Sequence, residues 1–180
     1  MTDEDIEIYR QKGLTAVLNP CSNAKLASGI PQLSRFLKAD VKLAIGTDGA
    51  ASNNEMNMFR EMYLANVLSK LYDREAASGD PAKVLDAAIA GGARAMRLFD
   101  CDDIAIGKKA DMIVIDMMRP NMQPVHNIVK NLVYSGNPSD VKLTMIGGKV
   151  LYENGEFFLP DSVDSVYREV EKYSKQIVYQ

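Results

Sequence analysis

Two short apolar runs near the N-terminus predict a pair of strands. Residues 14–18 (LTAVL) and 41–46 (VKLAIG) are mostly apolar, and small polar residues follow each run. Apolar runs of this length are typical of strands buried on both faces of a parallel sheet. We therefore predict two buried strands, with loops over 19–32 and 47–54 and a brief helix over 33–38.

Helical spacing precedes and follows these strands. Thr2 and the acidic residues after it predict a helix that ends before Gly13. From Glu55 onward, apolar residues recur at helical intervals, and Asp80-Pro81 is a typical start for another helix. The stripe of the first of these helices consists of Phe59, Met62, Tyr63, Val67 and Leu71.

Beyond residue 100 the pattern predicts β-structure and one final helix. Gly147-Gly148 between two alternating segments is a signal for a two-residue hairpin. Apolar residues spaced from Val163 to Ile177 predict an amphipathic helix. The predicted strands are 110–116, 141–146, 149–152 and 156–159.

This order of elements indicates an α/β chain with an incomplete parallel sheet. Two parallel strands cannot bury both of their faces, so we expect the chain to resemble the end of a larger unit. We divide it into a βα part over 1–100, a mostly antiparallel β part over 101–160 and a C-terminal helix over 161–180.

Composition narrows the class of protein. The 180 residues are 47% hydrophobic and 25% charged, and the formal net charge of −3 does not favour a nucleic-acid partner. No apolar run reaches the length of about 18 residues that indicates a membrane span. The acidic N-terminal segment is unlike a signal peptide, and the widely spaced Cys21 and Cys101 indicate free buried thiols. We therefore expect a cytoplasmic protein.

Asp48 is the first candidate for chemistry because it follows a buried strand directly. Ligands and catalytic groups converge at the carboxyl ends of parallel strands, where a carboxylate could bind a divalent metal and accept a proton. Alternatively, Asp48 caps a turn through the backbone, as Asp before Gly often does. Spacing alone favours the turn and leaves both interpretations open.

The loop after the first strand is the second candidate. Asn19, Ser22 and Asn23 could bind a polar substrate or brace Asp48, although an ordinary Asn-Pro turn explains the same residues. Cys21 has no histidine in its loop to act as a base, as a nucleophile would require. The single histidine of the chain, His126, lies at a predicted helix start, where a structural role is the simpler interpretation.

Together, the two loops resemble the strand-end motifs of metal-dependent amidohydrolases. LTAVLNPCSNAKLASGIPQL (14–33) and LAIGTDGAASNNEMNMFREMYLA (43–65) are similar to the seventh and eighth strand regions of that family. The nearest branch is the 5-methylthioadenosine/S-adenosylhomocysteine deaminases, beside chlorohydrolases and cytosine/guanine deaminases. The segment from IGKKADMIVID to GGKVLYENGEF (106–157) resembles the family's return into a small β-sandwich.

This resemblance implies the last two or so βα units of a (β/α)8 barrel, followed by part of the sandwich and a C-terminal helix. It also implies one divalent metal, zinc or iron, that activates water to displace ammonia or chloride from a ring. The family's metal-binding, proton-shuttling aspartate maps to Asp48. By the same resemblance, Asn19, Ser22, Asn23 and Ser52 map to loops at the mouth of the active site.

The family's other metal-binding histidines map upstream of Thr2, and Leu18 stands where many members have histidine. A catalytic zinc site takes about three protein ligands. We therefore expect that this chain alone binds no stoichiometric zinc or iron and does not deaminate an adenine nucleoside or related ring. We expect it to associate with the missing N-terminal part or with copies of itself.

Two other hypotheses stay open at this point. The chain could be a non-catalytic subunit that folds by association, because its strand edges and apolar faces lack partners. It could also be a minimal enzyme that uses Asp48, Cys21 and His126, although nothing in their spacing requires them to converge.

Overall fold

A computed structural model describes residues 1–178 and begins with a helix, α1 (Asp3–Lys12). The Thr2 side chain accepts a hydrogen bond from the Asp5 backbone amide, and Gly13 ends the helix with a left-handed φ of 62°. The strands β1 (Thr15–Leu18) and β2 (Lys42–Ile45) follow and pair in parallel. The predicted order of helix, strand and strand is therefore confirmed.

The segment between these strands differs from the prediction. Instead of a continuous loop over 19–32, it contains the helix α2 (Pro20–Lys25), which precedes the predicted brief helix α3 (Leu33–Lys38). Proline suits the first position of a helix, because its fixed φ is helical and the missing N–H needs no partner there. The loop prediction was wrong for α2, because Asn-Pro is equally a turn signal and a helix start.

Three α-helices and a π-helical segment then cover the parallel sheet. They are α4 (Met58–Asp73), α5 (Pro81–Asp86), a π-helical segment over Ala87–Gly91 and α6 (Gly92–Ala95). Asp80 caps α5 by accepting a hydrogen bond from the Ala82 amide at 2.9 Å, as the Asp-Pro signal predicts. The π-helical segment packs against β2.

A second sheet of four antiparallel strands contains β3 (Met112–Ile115), β4 (Val141–Ile146), β5 (Lys149–Glu153) and β6 (Glu156–Phe157), in that order. Both hairpin glycines have positive φ, 57° for Gly147 and 78° for Gly148, as this type of turn requires. Along the chain, the helix α7 (Ile128–Ser135) comes between β3 and β4, and α8 (Val163–Val178) ends the described residues.

The hydrophobic core lies against one face of the parallel sheet. Ala16 and Leu18 of β1 belong to it, whereas Val17 on the opposite face is 53% exposed. The predicted burial of β1 on both faces is therefore wrong. Of the two thiols, Cys21 is buried and Cys101 is only partly buried. No helix within residues 1–178 is long and apolar enough to cross a membrane.

A part-buried hydrogen bond joins α4 to α7 and supports a stability prediction. The Tyr134 hydroxyl donates to Oδ1 of Asn66, which is fully buried, at 2.6 Å. Tyr134→Phe should lower the free energy of unfolding by about 1–3 kcal/mol, because the Asn66 oxygen loses its donor. Urea denaturation would measure this loss. The control Tyr72→Phe removes an exposed acceptor of Gln32 and should cost less than about 0.5 kcal/mol; equal effects would contradict the prediction.

Candidate active site

Asp48 lies where the parallel strands β1 and β2 end side by side. The Ser22 hydroxyl, on α2, donates to Asp48 Oδ2 at 2.6 Å, and the Gly49 amide donates to Asp48 Oδ1 at 2.8 Å. Of the three residues predicted to brace Asp48 from the segment after β1, Ser22 does so, and the predicted local backbone contact is present as well. The carboxylate is exposed, so it remains accessible to a ligand.

The hydrogen bonds around Asp48 hold the carboxylate in its ionised form. The Ser22 hydroxyl lowers the pKa of Asp48 most, followed by the Gly49 amide and the Ser52 side chain. These donors stabilise the charged carboxylate more than the neutral acid. An ionised carboxylate is the form that can bind a metal cation.

The backbone at Asp48 is left-handed, with a φ of 60°. Aspartate and asparagine tolerate this region better than most residues, because their short polar side chains bond locally. The loop then turns back on itself: the Asn53 amide donates to the Gly49 carbonyl at 2.9 Å, and the Ser52 hydroxyl donates to the same carbonyl at 3.0 Å. Ser52 therefore braces the loop that carries Asp48.

The remaining predicted residues lie nearby in different settings. Asn19 is half-buried, and its Oδ1 lies close to Gly46, 2.7 Å from the place where a Cβ would stand. Asn23 is half-buried on α2, one residue after Ser22. Lys25 at the end of α2 donates to the Ala51 carbonyl at 3.0 Å and thereby clamps the Asp48 loop from outside.

Sequence reasoning missed a buried network beneath the loop. Glu61 of α4 is fully buried, and its carboxylate accepts from the Cys21 amide at 2.9 Å and from Asn53 Nδ2 at 2.6 Å. The sequence did contain a signal for this network. Glu61 lies next to Met62 and four residues before Ala65, which places its carboxylate on the buried side of the helix.

Neither Cys21 nor His126 fits the minimal-enzyme hypothesis. Burial raises the pKa of the Cys21 thiol, which keeps it in the unreactive protonated form, and its sulfur accepts a hydrogen bond from Arg60 Nε at 3.3 Å. His126 is exposed just before α7, and no hydrogen bond among the described residues joins it to Asp48 or Cys21.

The metal-binding capacity of the described residues is incomplete. Among residues 1–178 there is no group of three or more His, Cys, Asp or Glu side chains that could hold a metal ion. The Asp48 carboxylate suits one position in a metal site, but a catalytic zinc site takes about three protein ligands. The donor set of the described residues therefore does not fit a complete metal centre.

Residues 1–151 match the sequence profile of the amidohydrolase family. The chain belongs to the amidohydrolase family. Its fold agrees: an adenosine deaminase from Xanthomonas campestris, with bound zinc, superposes on this amidohydrolase chain with a TM-score of 0.94 at 33% identity. That match covers 100% of this chain and 41% of the other. An atrazine chlorohydrolase from Arthrobacter aurescens, complexed with zinc, shares the fold with a TM-score of 0.84 at 22% identity, over 97% of this chain and 38% of the other.

Two curated relatives of this amidohydrolase carry the same functional name. The 5-methylthioadenosine/S-adenosylhomocysteine deaminase of Caldanaerobacter subterraneus subsp. tengcongensis is 40% identical over 180 residues, which is 99% of this chain and 41% of the relative. The protein of the same name from Thermococcus sibiricus is 44% identical over 151 residues, covering 84% of this chain and 35% of its own. The chain thus spans about two fifths of the length of these relatives.

Proposed function

We propose that this chain is the C-terminal part of a metal-dependent amidohydrolase that hydrolytically deaminates an adenine nucleoside of the 5-methylthioadenosine/S-adenosylhomocysteine type or a related aminated ring. The observation that carries the proposal is the braced, ionised Asp48 at the end of β2, in a chain 40% identical to a deaminase of that name. We place the complete enzyme in the cytoplasm.

In the proposed architecture, residues 1–100 form the last βα units of an incomplete (β/α)8 barrel. Residues 101–160 form part of a β-sandwich, and 161–180 a terminal helix whose last two residues lie outside the described range. The parallel pairing of β1 with β2 and the exposure of Val17 support the first assignment, because strands of a barrel expect neighbours and a filled interior. The four-stranded antiparallel sheet supports the second.

Within that enzyme, Asp48 is the proposed metal ligand and proton-transfer group. The metal, zinc or iron, would supply activation of the attacking water, and its other ligands would come from outside this chain. Ser22 and Ser52 hold the Asp48 carboxylate and its loop, as their hydrogen bonds favour. Asn19, Ser22, Asn23 and Ser52 are proposed to border the substrate.

A chimaera tests this proposal. The C-terminal two fifths of the Caldanaerobacter relative would be replaced by this chain, which aligns with 41% of that protein. We expect the chimaera to bind a divalent metal and to release ammonia from 5-methylthioadenosine or S-adenosylhomocysteine. A folded, metal-loaded chimaera that deaminates neither compound, nor adenosine, would overturn the assignment.

The isolated chain should be inactive and should contain less than about 0.1 equivalent of zinc or iron, because one carboxylate does not make a catalytic site that takes about three ligands. Elemental analysis of the purified chain and an ammonia-release assay check this prediction. Finding about one tightly held ion per chain that Asp48→Ala removes would contradict it.

A second candidate is a non-catalytic subunit that folds by self-association or with a partner. The apolar residues of α8 favour it, because their side chains are exposed although they share one helical face. They are Val166, Val170, Tyr173 and Ile177. Gel filtration distinguishes the candidates: a dilute monomer of about 20 kDa with cooperative unfolding would count against obligate association.

A further inference from the structure

Glu61 is a fully buried carboxylate that connects α2 to the loop after β2. It accepts from the Cys21 amide through Oε2, at 2.9 Å, and from Asn53 Nδ2 through Oε1, at 2.6 Å. Burying a carboxylate is unfavourable unless hydrogen bonds replace its water. Hydrophobic packing alone would be served better by an apolar residue at this position of α4, so the donors that Glu61 holds are the relevant feature.

Asn53 extends this network to the backbone next to Asp48. Its Nδ2 group donates to Glu61 and also to the Thr47 carbonyl, at 2.8 Å. These two acceptors determine the orientation of the amide, since a flipped amide would direct its oxygen at both of them. In the described part of the chain, no group donates a hydrogen bond to the buried Asn53 Oδ1. The side chain therefore keeps the two bonds that its Nδ2 donates, although its own oxygen stays unpaired.

The same carboxylate reaches the other side of Asp48 through Cys21. Cys21 directly precedes Ser22, whose hydroxyl donates to Asp48. Glu61 therefore holds the Cys21 backbone directly before Ser22. Through Asn53 it also holds the Thr47 backbone directly before Asp48. Lys25 also holds this loop, through the Ala51 carbonyl and Asn54 Oδ1, but these contacts are exposed to solvent and lie beyond Asp48 in the sequence.

We propose that Glu61 and Asn53 are positioning residues that set Asp48 against Ser22, a role that rests on the proposed function of Asp48. The local hydrogen bonds of this loop join residues 48–53 to one another, so they do not by themselves fix Asp48 against Ser22 of α2. A buried anchor is less screened by solvent than an exposed one, so it keeps the loop in one arrangement.

Amide hydrogen exchange of Glu61→Gln in the full 180-residue chain tests this role. Glutamine has one acceptor oxygen and can keep only one of the two bonds. We expect the Gly49 and Asn53 amides to exchange at least about tenfold faster relative to the Gly46 amide, which pairs with Leu18 in the sheet. Equal acceleration of all three amides, or none, overturns the proposal.

Asp140→Asn is the matched control. Asp140 is equally buried and accepts from Asn121 Nδ2 at 2.8 Å and from the Asn137 amide at 2.9 Å, beside the second sheet. This variant should leave the ratio of Gly49 to Gly46 exchange within about twofold of the unmodified chain, because any bond that it weakens lies in a different region. A ratio that rises as much as in Glu61→Gln overturns the proposal.

A measurement on the unmodified chain decides the question if Glu61→Gln does not fold. The Asn53 side-chain amide protons should exchange at least about tenfold more slowly than those of Asn57, whose Nδ2 donates to the exposed Glu55. Equal exchange rates would mean that the Asn53 anchor does not persist in solution, and the proposal fails.

The kinetic constants of the chimaera distinguish a positioning role from a purely structural role. In an active chimaera, Glu61→Gln should lower kcat at least about tenfold and change KM less than about twofold, because positioning of Asp48 matters to the reaction step. A change confined to KM overturns the positioning role. Hydrogen exchange is measured without metal or substrate, so its result does not depend on catalysis. An inactive chimaera would therefore overturn the proposed function, whereas the exchange data alone would still test the positioning role.

Discussion

Asp48→Asn should lower the deaminase activity of the chimaera by at least about three orders of magnitude. Asparagine has the same shape and tolerates the left-handed backbone, so the loop should keep its conformation. The amide is neutral and cannot accept the proton, and its single oxygen is a weaker metal ligand than a carboxylate. Kinetics of ammonia release and elemental analysis of the same preparation would measure both effects.

Asp40→Asn is the matched control for this substitution. Asp40 is also exposed and also left-handed, with a φ of 56°, but it lies just before β2 at the opposite end of the strand. Its substitution should change activity by less than about twofold. If the Asp48 variant retained a tenth of the activity with its metal bound, Asp48 would not have the proposed role.

Gly91→Ala should lower the free energy of unfolding by about 3 kcal/mol or more. A Cβ at this position would lie 2.3 Å from the Leu43 carbonyl oxygen and 3.2 Å from the Asp86 carbonyl oxygen. Both contacts are with backbone, which cannot rotate away as a flexible side chain could. The π-helical segment would have to move off β2, the strand that leads to Asp48. Urea denaturation, followed by circular dichroism, would measure the loss.

The neighbouring Gly92→Ala provides a control with the same chemical change. No atom lies within 4 Å of a Cβ placed on Gly92, and its backbone is helical. This substitution should leave stability unchanged or raise it by about 0.5–1 kcal/mol, because alanine favours the helix over glycine. Similar losses for both variants would show that the close approach to Leu43 is not what matters.

The elements that sequence reasoning predicted well depend on neighbours within a few residues. The Thr2 cap, the Asp80-Pro81 helix start and the Gly147-Gly148 turn are local signals, and all three are present in the structure. The helix α2 shows the opposite case. Its Asn-Pro start has two local interpretations, and the bond from the Cys21 amide to Glu61 joins residues 40 positions apart.

The amino-acid sequence by itself placed Asp48 and Ser22 directly after the two buried strands and carried the resemblance to amidohydrolases that residues 1–151 confirm. Only the tertiary structure decided that Ser22 contacts Asp48 and that Glu61 and Asn53 lie beneath them. The physical reason is the range of the interactions. Periodicity and turn chemistry act over a few residues, whereas these contacts require the parallel pairing of β1 with β2 and the packing of α4 below their ends.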